Sequence, residues 1–265
     1  MTNRDATRPF AVITGASRGI GAEYARALAS RGYDLLLVAR DRARLDRLAE
    51  DLTTQHQVHA DIALLDLAEP EAAHRLYTAA REFRPAVDLL INNAGFGSVG
   101  EFVAMPMARI QAMLRLHVNT IVESSRLFLP GMIERRSGAM INVASTAGFM
   151  PIAGMTEYAA TKTFLIAFSE ALAEEVRPYA VRVQVCCPGA TLTDFHHTAG
   201  SHPKGPFKAQ TAEEVVAASL NALGSGRTVV TTHWSGTLTD WLGRWVPRGV
   251  LARGAAWWMR RSKQR

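Results

Sequence analysis

Cysteine is nearly absent from this chain: the two among 265 residues, Cys186 and Cys187, stand side by side in an apolar run. Neighbours on a strand point to opposite faces, so no disulfide framework can form from them. Buried, reduced thiols in a cytoplasmic protein are expected instead. Long apolar runs are missing too, since none approaches the ~18–20 residues that cross a bilayer. Residues 1–8 are polar, with no apolar stretch ahead of a cleavage site, so no signal peptide is expected and this segment reads as a flexible N-terminus. No group of His, Cys, Asp and Glu has metal-ligand spacing, and His196 and His197 read as surface residues, so no metal is expected. Internal repeats and low-complexity linkers are lacking as well, which argues for one domain. Lysine is scarce, with four residues against 26 arginines.

Hydrophobic residues make up 48% and charged residues 20%, the proportions of a folded chain rather than a disordered one. The net charge of +6 is unevenly spread. From Asp240 to Arg265 there are seven basic residues and one acid, so this segment carries +6 and the rest of the chain balances to zero. Every tryptophan falls from Trp234 onward. A body without excess charge and without a recognition module argues against nucleic-acid binding. The tail is a separate problem.

Apolar runs alternate with helical patterns along residues 9–235. Strands are expected at Phe10–Thr14, Asp34–Ala39, Val58–Ala63, Val87–Ile91, Ala139–Val143, Val181–Cys187 and Thr228–Thr231. Helical stretches separate them, including a long one over Met107–Arg135 that should contain a break and one over Thr156–Pro178. Right-handed crossovers of this kind imply an α/β fold with a parallel sheet covered on both faces. Continuous rather than alternating apolar strands agree with that burial. Residues 188–206, rich in Gly, Pro and His, are expected to form a lid or pocket wall.

Three glycines at 15, 19 and 21 in Thr14-Gly-Ala-Ser-Arg-Gly-Ile-Gly21 join the first strand to the first helix. Such a turn brings bare amides against a pyrophosphate, with a helix N-terminus behind them. An acid at the tip of the second strand would grip the ribose hydroxyls of NAD. Here the tip is Ala39, followed by Arg40, and Arg18 sits in the glycine turn. Two guanidinium groups suit the 2′-phosphate of NADP. Asp41 is an alternative NAD ligand that reads better as a helix cap. Asp66 and Leu67 after the third strand suit the adenine, while Asn93, Ala94 and Gly95 after the fourth, and Pro188, Gly189, Thr191 and Thr193 after the sixth, fall where ligands of open parallel sheets gather. Asn119, a mediocre helix former in mid-helix, marks a break or a water site. Tyr158 and Lys162 stand four residues apart, hence on one helical face, thirteen residues after Ser145. Lowering a phenol's pKa of about 10 by ~3 units needs about 4 kcal/mol, and an adjacent ammonium is a direct source.

Taken in order and spacing, these segments resemble the short-chain dehydrogenase/reductase family over residues 9–235, in its NADP-preferring branch. The resemblance implies a single doubly wound Rossmann domain with a seven-stranded parallel sheet, and hydride transfer between NADP(H) and a ketone or secondary alcohol. Asn119, Ser145, Tyr158 and Lys162 match the catalytic tetrad. By that match Tyr158 moves the proton, Lys162 lowers its pKa and holds the nicotinamide ribose, Ser145 holds the substrate oxygen, and Asn119 anchors a water. Gly15, Ser17, Arg18, Gly19, Ile20, Gly21 and Arg40 fall at the cofactor positions. The substrate pocket is expected among Phe96, Phe149, Met150, Met155 and Phe195, an apolar wall beside Ser145 and Tyr158. A homo-oligomer, dimer or tetramer, is implied. Rival readings are an NAD-dependent alcohol dehydrogenase and an idle cofactor-sensing scaffold.

Beyond the family's usual domain, residues 236–265 form an amphipathic extension divided by Pro247. Two readings stay open. Its tryptophans pack on the body or across a subunit interface, or the segment lies on an anionic membrane as an interfacial helix, making the protein peripheral there.

Overall fold

In the computed structural model, which describes residues 8–193 and 209–262, the apolar run Phe10–Thr14 is a wholly buried strand, β1. It pairs in parallel with β2 (Asp34–Ala39) on one side and β4 (Leu89–Asn92) on the other. β3 (Ala60–Leu64), β5 (Gly138–Val143), β6 (Val181–Cys187) and β7 (Val229–Thr231) complete a parallel seven-stranded sheet in the order β3-β2-β1-β4-β5-β6-β7. The order reverses between β1 and β4. Ligands of open α/β sheets bind at the carboxyl ends of the strands beside such a point.

The two-residue period of the strands divides the core. Ala11, Ile13, Leu35, Leu37, Leu89 and Ile91 face one layer, packing on α1 (Gly19–Ala29), α2 (Arg42–His56) and α7 (Ala212–Gly224). Phe10, Val12, Leu36, Val38 and Leu90 face the other, packing on α3 (Ala72–Phe83), α5 (Thr120–Arg135) and α6 (Thr156–Val176). Each fully buried side chain of this size contributes roughly 1.5–3 kcal/mol, so both layers must be filled for the sheet to hold. Polar staples add to them. Asn92 donates to Asn142 and Asn142 to Ser169, each at 2.9 Å, tying β4, β5 and α6 together. Arg84 forms an ion pair with the fully buried Asp34, whose other oxygen accepts from the His59 amide.

Several boundaries differ from the apolar pattern. β3 starts at Ala60, not Val58. α3 starts at Ala72 because Glu71 takes a left-handed conformation (φ 60°) that no helix continues through. The long helical stretch is broken, as expected, but by a turn of π-helix over Arg115–Asn119 between α4 (Met107–Leu114) and α5. Beyond β7, α8 (Trp234–Trp245) and α9 (Arg248–Ser262) flank Pro247. Among the described residues no helix is long and apolar enough to cross a membrane.

Candidate active site

A groove of about 1120 Å³ opens at the carboxyl ends of the strands, where the sheet order reverses. Its floor is the glycine turn. Gly15 and Gly19 have φ of 67° and 55°, a region open to glycine and strained for other residues. Gly21 is needed for a different reason: a Cβ there would sit 2.2 Å from the Gly15 carbonyl oxygen and 2.5 Å from Asn93 Nδ2. That amide nitrogen donates to the Thr14 carbonyl at 2.9 Å, while the Thr14 hydroxyl accepts from the Asn93 and Ala94 amides. The β4 loop is thereby locked to the glycine turn. No side chain caps the first turn of α1, which leaves its amides to the groove. Gly15, Ser17, Arg18, Gly19 and Ile20 line the cavity, whereas Gly21 supports it from beneath.

At one end stand Arg18, Arg40 and Arg44. Asp41 is committed elsewhere, for its carboxylate caps α2 at the Arg44 amide (3.1 Å) and meets the Arg44 side chain at 3.3 Å. Arg40, largely exposed, reaches Asp66 at 3.2 Å. Desolvation works against the Asp66 carboxylate, but the Ala68 amide and the Arg40 guanidinium outweigh it and hold the group below the usual carboxylate range. Leu67, Asn93, Ala94, Gly95, Pro188, Gly189, Thr191 and Thr193 also line the groove. Arg115, which sequence reasoning passed over, lines it too, bound through Nε to the Ala68 carbonyl at 2.9 Å.

At the other end, β5 delivers Ser145 and the first turns of α6 deliver Tyr158 and Lys162. All three line the groove. Burial drives the Tyr158 phenol up to about 12, with the Ser145 hydrogen bond pulling in the opposite direction. Lys162 donates from Nζ to the Val143 carbonyl at 2.9 Å and lies 5.7 Å from the phenol ring centre. Its burial lowers the ammonium to about 8. Burial thus works against the depression of the phenol expected from the ammonium. Desolvation of the phenolate wins, because the charge stands off the ring and is occupied with a carbonyl.

Asn119 requires a correction. Its side chain is exposed and does not line the groove, although the sequence pattern assigned it there. His117 stands in the groove wall instead, fully buried. Its Nε2 accepts from the Phe96 amide at 3.1 Å and its Nδ1 meets Thr161 Oγ1 at 3.1 Å. Thr161 donates its own proton to the Tyr158 carbonyl at 2.8 Å, so the ring is the Nδ1–H tautomer, donating to Thr161. Burial, and after it the nearby Lys162 charge, holds this imidazole well below its usual pKa, hence neutral. Residues two apart in a helix point about 200° away from each other. Only one of His117 and Asn119 could face the groove, and the π turn decides which.

The apolar wall is partly as expected. Phe96 and Met155 line the groove and pack with Met113, Ala147 and Tyr158. Phe149 does not line it. It packs instead on the cluster of Ile121, Ala144 and Leu165. Met150, beside it, also lies outside the lining. Phe195 lies outside the described residues, as do His196 and His197. Among the described residues no cluster of three or more metal-ligating side chains occurs.

Residues 9–204 match the family model described as short chain dehydrogenase. A very-long-chain 3-oxoacyl-CoA reductase of Anas platyrhynchos is 32% identical over 219 residues, covering 81% of this chain and 69% of that protein. The Homo sapiens protein of the same name is 32% identical over 183 residues, covering 68% of this chain and 58% of its own length. The chain thus spans less than two thirds of that human relative. Among solved structures, a short-chain dehydrogenase from Sphingobium yanoikuyae in complex with NADPH has a TM-score of 0.80 at 35% identity, covering 84% of this chain and 87% of that one. The bulky-bulky ketone specific alcohol dehydrogenase from Comamonas testosteroni gives 0.76 at 32% identity, with 84% and 85% covered. The chain belongs to the short-chain dehydrogenase/reductase family, and it is an oxidoreductase acting on alcohol and ketone groups.

Proposed function

We propose that this enzyme is an NADP(H)-dependent oxidoreductase of apolar ketones and secondary alcohols, with Tyr158 as the proton-transferring group. The observation that carries the cofactor preference is the charge around the tip of β2. Ala39 stands where an acid would hold a ribose, Asp41 is spent on capping α2, and Arg18, Arg40 and Arg44 line the groove. The same reasoning disfavours an NAD-dependent dehydrogenase that would need Asp41. The groove suits a dinucleotide by its own geometry: Gly15 and Gly19 line it with bare backbone at positive φ, and Gly21 lets α1 start close against the Gly15 carbonyl beneath it. Uncapped amides at the start of α1 would hold the pyrophosphate, Asp66 and Leu67 the adenine, and Lys162 the nicotinamide ribose. When bound, the nicotinamide supplies or accepts the hydride.

The chain's own residues handle the proton. Ser145 and Tyr158, hydrogen-bonded to each other, present two hydroxyls to the substrate oxygen. Tyr158 passes its proton to that oxygen as negative charge develops, so no free alkoxide accumulates. His117 keeps the Phe96 loop and the start of α6 in register and is a positioning residue. The water-anchoring role assigned to Asn119 has no support, since that side chain is outside the groove. An apolar, bulky substrate suits the wall of Phe96, Met155 and Ala147, which Met113 backs from the core. The names of the acyl-CoA and bulky-ketone relatives agree with it.

The test is NADPH consumption with a panel of bulky ketones, alongside dissociation constants for NADPH and NADH. Tyr158→Phe is expected to abolish turnover, and Arg18→Ala with Arg40→Ala to erase a preference for NADPH. Equal rates for wild type and Tyr158→Phe, or tighter NADH binding by wild type, would overturn the reading.

A further inference from the structure

The tail helix α8 packs on the body by one side only and leaves its large apolar side chains exposed. In α8, Leu238, Trp241 and Trp245 are 41%, 55% and 73% exposed, and Trp234 is 61% exposed. Their spacing of four, three and four residues gathers all four side chains within an arc of about 60° at 100° per residue. The opposite face of the helix carries Gly236 and Gly243. A Cβ at Gly236 would lie 2.9 Å from Thr146 Cγ2, and one at Gly243 would lie 2.4 Å from the Phe149 carbonyl oxygen. The two glycines thus let α8 lie flush on the turn Thr146–Phe149, directly after Ser145. Pressed down on its glycine side, the helix points its tryptophan side outward, beside the catalytic serine.

We propose that this face is a docking surface for an anionic lipid bilayer. Charge selects that occupant. The segment from Asp240 to Arg265 holds the whole +6 of the chain. Its one acid, Asp240, is paired with Arg244 at 2.9 Å, while Arg248 and Arg253 are exposed on α9. Tryptophan beside arginine is the composition favoured at a lipid interface, and basic residues near an anionic surface each strengthen binding. A second copy is a poorer occupant, because a two-fold contact brings two segments of +6 together. Docking through α8 would hold the turn after Ser145 one helix diameter, roughly 10 Å, from the lipid surface. It does not depend on which cofactor or ketone the site uses.

Full-length protein tests this directly, since every tryptophan lies in α8 or α9 and tryptophan fluorescence therefore reports on those two helices alone. The probes are vesicles of phosphatidylcholine alone and of phosphatidylcholine with about 30% phosphatidylglycerol. Wild type is expected to sediment with the anionic vesicles and shift its emission to the blue. Trp241→Ser with Trp245→Ser should bind at least about tenfold more weakly. Replacing Arg248 and Arg253 by Gln should weaken anionic binding about tenfold or more and leave neutral vesicles unaffected. Both pairs are exposed, so circular dichroism should match wild type. Equal sedimentation of wild type and the tryptophan variant overturns the proposal. So does a wild-type oligomer that ignores vesicles and falls to monomer in the tryptophan variant, which would assign the face to a second copy.

Discussion

Replacing Lys162 with Met should abolish activity and stabilise the ligand-free fold. Lys162 is buried, and its pKa falls from 10.5 to about 8 on folding. A base whose folded pKa is lowered penalises the native state wherever the unfolded chain holds the proton more tightly. The penalty is complete below pH 8 and fades as pH rises from 8 through 10.5. A difference of about 2.5 units corresponds to about 3 kcal/mol at pH 7, falling to roughly 1.4 kcal/mol at pH 9.5. Loss of the 2.9 Å bond to the Val143 carbonyl offsets part of the gain, about 1 kcal/mol. That offset persists at both pH values, because a neutral amine also donates. Urea unfolding of wild type and Lys162→Met at pH 7 and 9.5 isolates the ionisation. The advantage of the variant should shrink by about 2 kcal/mol between the two. A difference that stays flat with pH would show that Lys162 is not held charged against its burial.

Arg84→Met leaves Asp34 as an unpaired buried carboxylate at the amino-terminal ends of β1 and β2. Breaking such a pair costs about 3–5 kcal/mol, readable as a lower urea midpoint; an unchanged midpoint would mean that water reaches Asp34. His117→Leu removes the acceptor of the Phe96 amide and the ring partner of Thr161. It should cost about 1–3 kcal/mol for the orphaned donor and lower kcat/KM by loosening the wall that Phe96 forms. His117→Gln should restore part of both, and a full effect in the Gln variant would contradict the hydrogen-bonding role.

The fold was legible because its signals are redundant. Continuous apolar strands, crossovers of helical length and a glycine turn all point to the same sheet, and a shift of two residues at β3 changes nothing. Ser145, Tyr158 and Lys162 were legible for a related reason: a strand end and a regular helix fix their directions. Asn119 failed because the helix there is not regular. One π turn changes which side faces the groove, and Leu-His-Val-Asn looks equally acceptable in either phase. Phe149 failed differently. Its place in the apolar cluster depends on how Thr146–Phe149 folds back on α6, where Gly148 would put a Cβ 2.8 Å from the Lys162 carbonyl oxygen. Long-range packing of that kind leaves no local pattern.

Burial in the site also fixes the resting proton of Tyr158. With the phenol near 12, Tyr158 carries its proton at every pH at which the fold would be assayed. A loaded donor is the state from which a ketone is reduced. Lys162, near 8, is the group that changes charge in the working range. Its positive charge, 5.7 Å from the ring centre, is a countercharge for the phenolate left after the proton departs. The profile of kcat/KM for the dinucleotide in ketone reduction, which reports groups of the free enzyme, is therefore expected to be flat on the acid side and to fall above about pH 8. A limb assigned to Tyr158 would appear some four units higher. Lys162→Arg, if it retains measurable turnover, should lose the alkaline limb, because a guanidinium stays protonated throughout. An alkaline limb near 8 that survives in Lys162→Arg would move the titration to another group and refute the assignment.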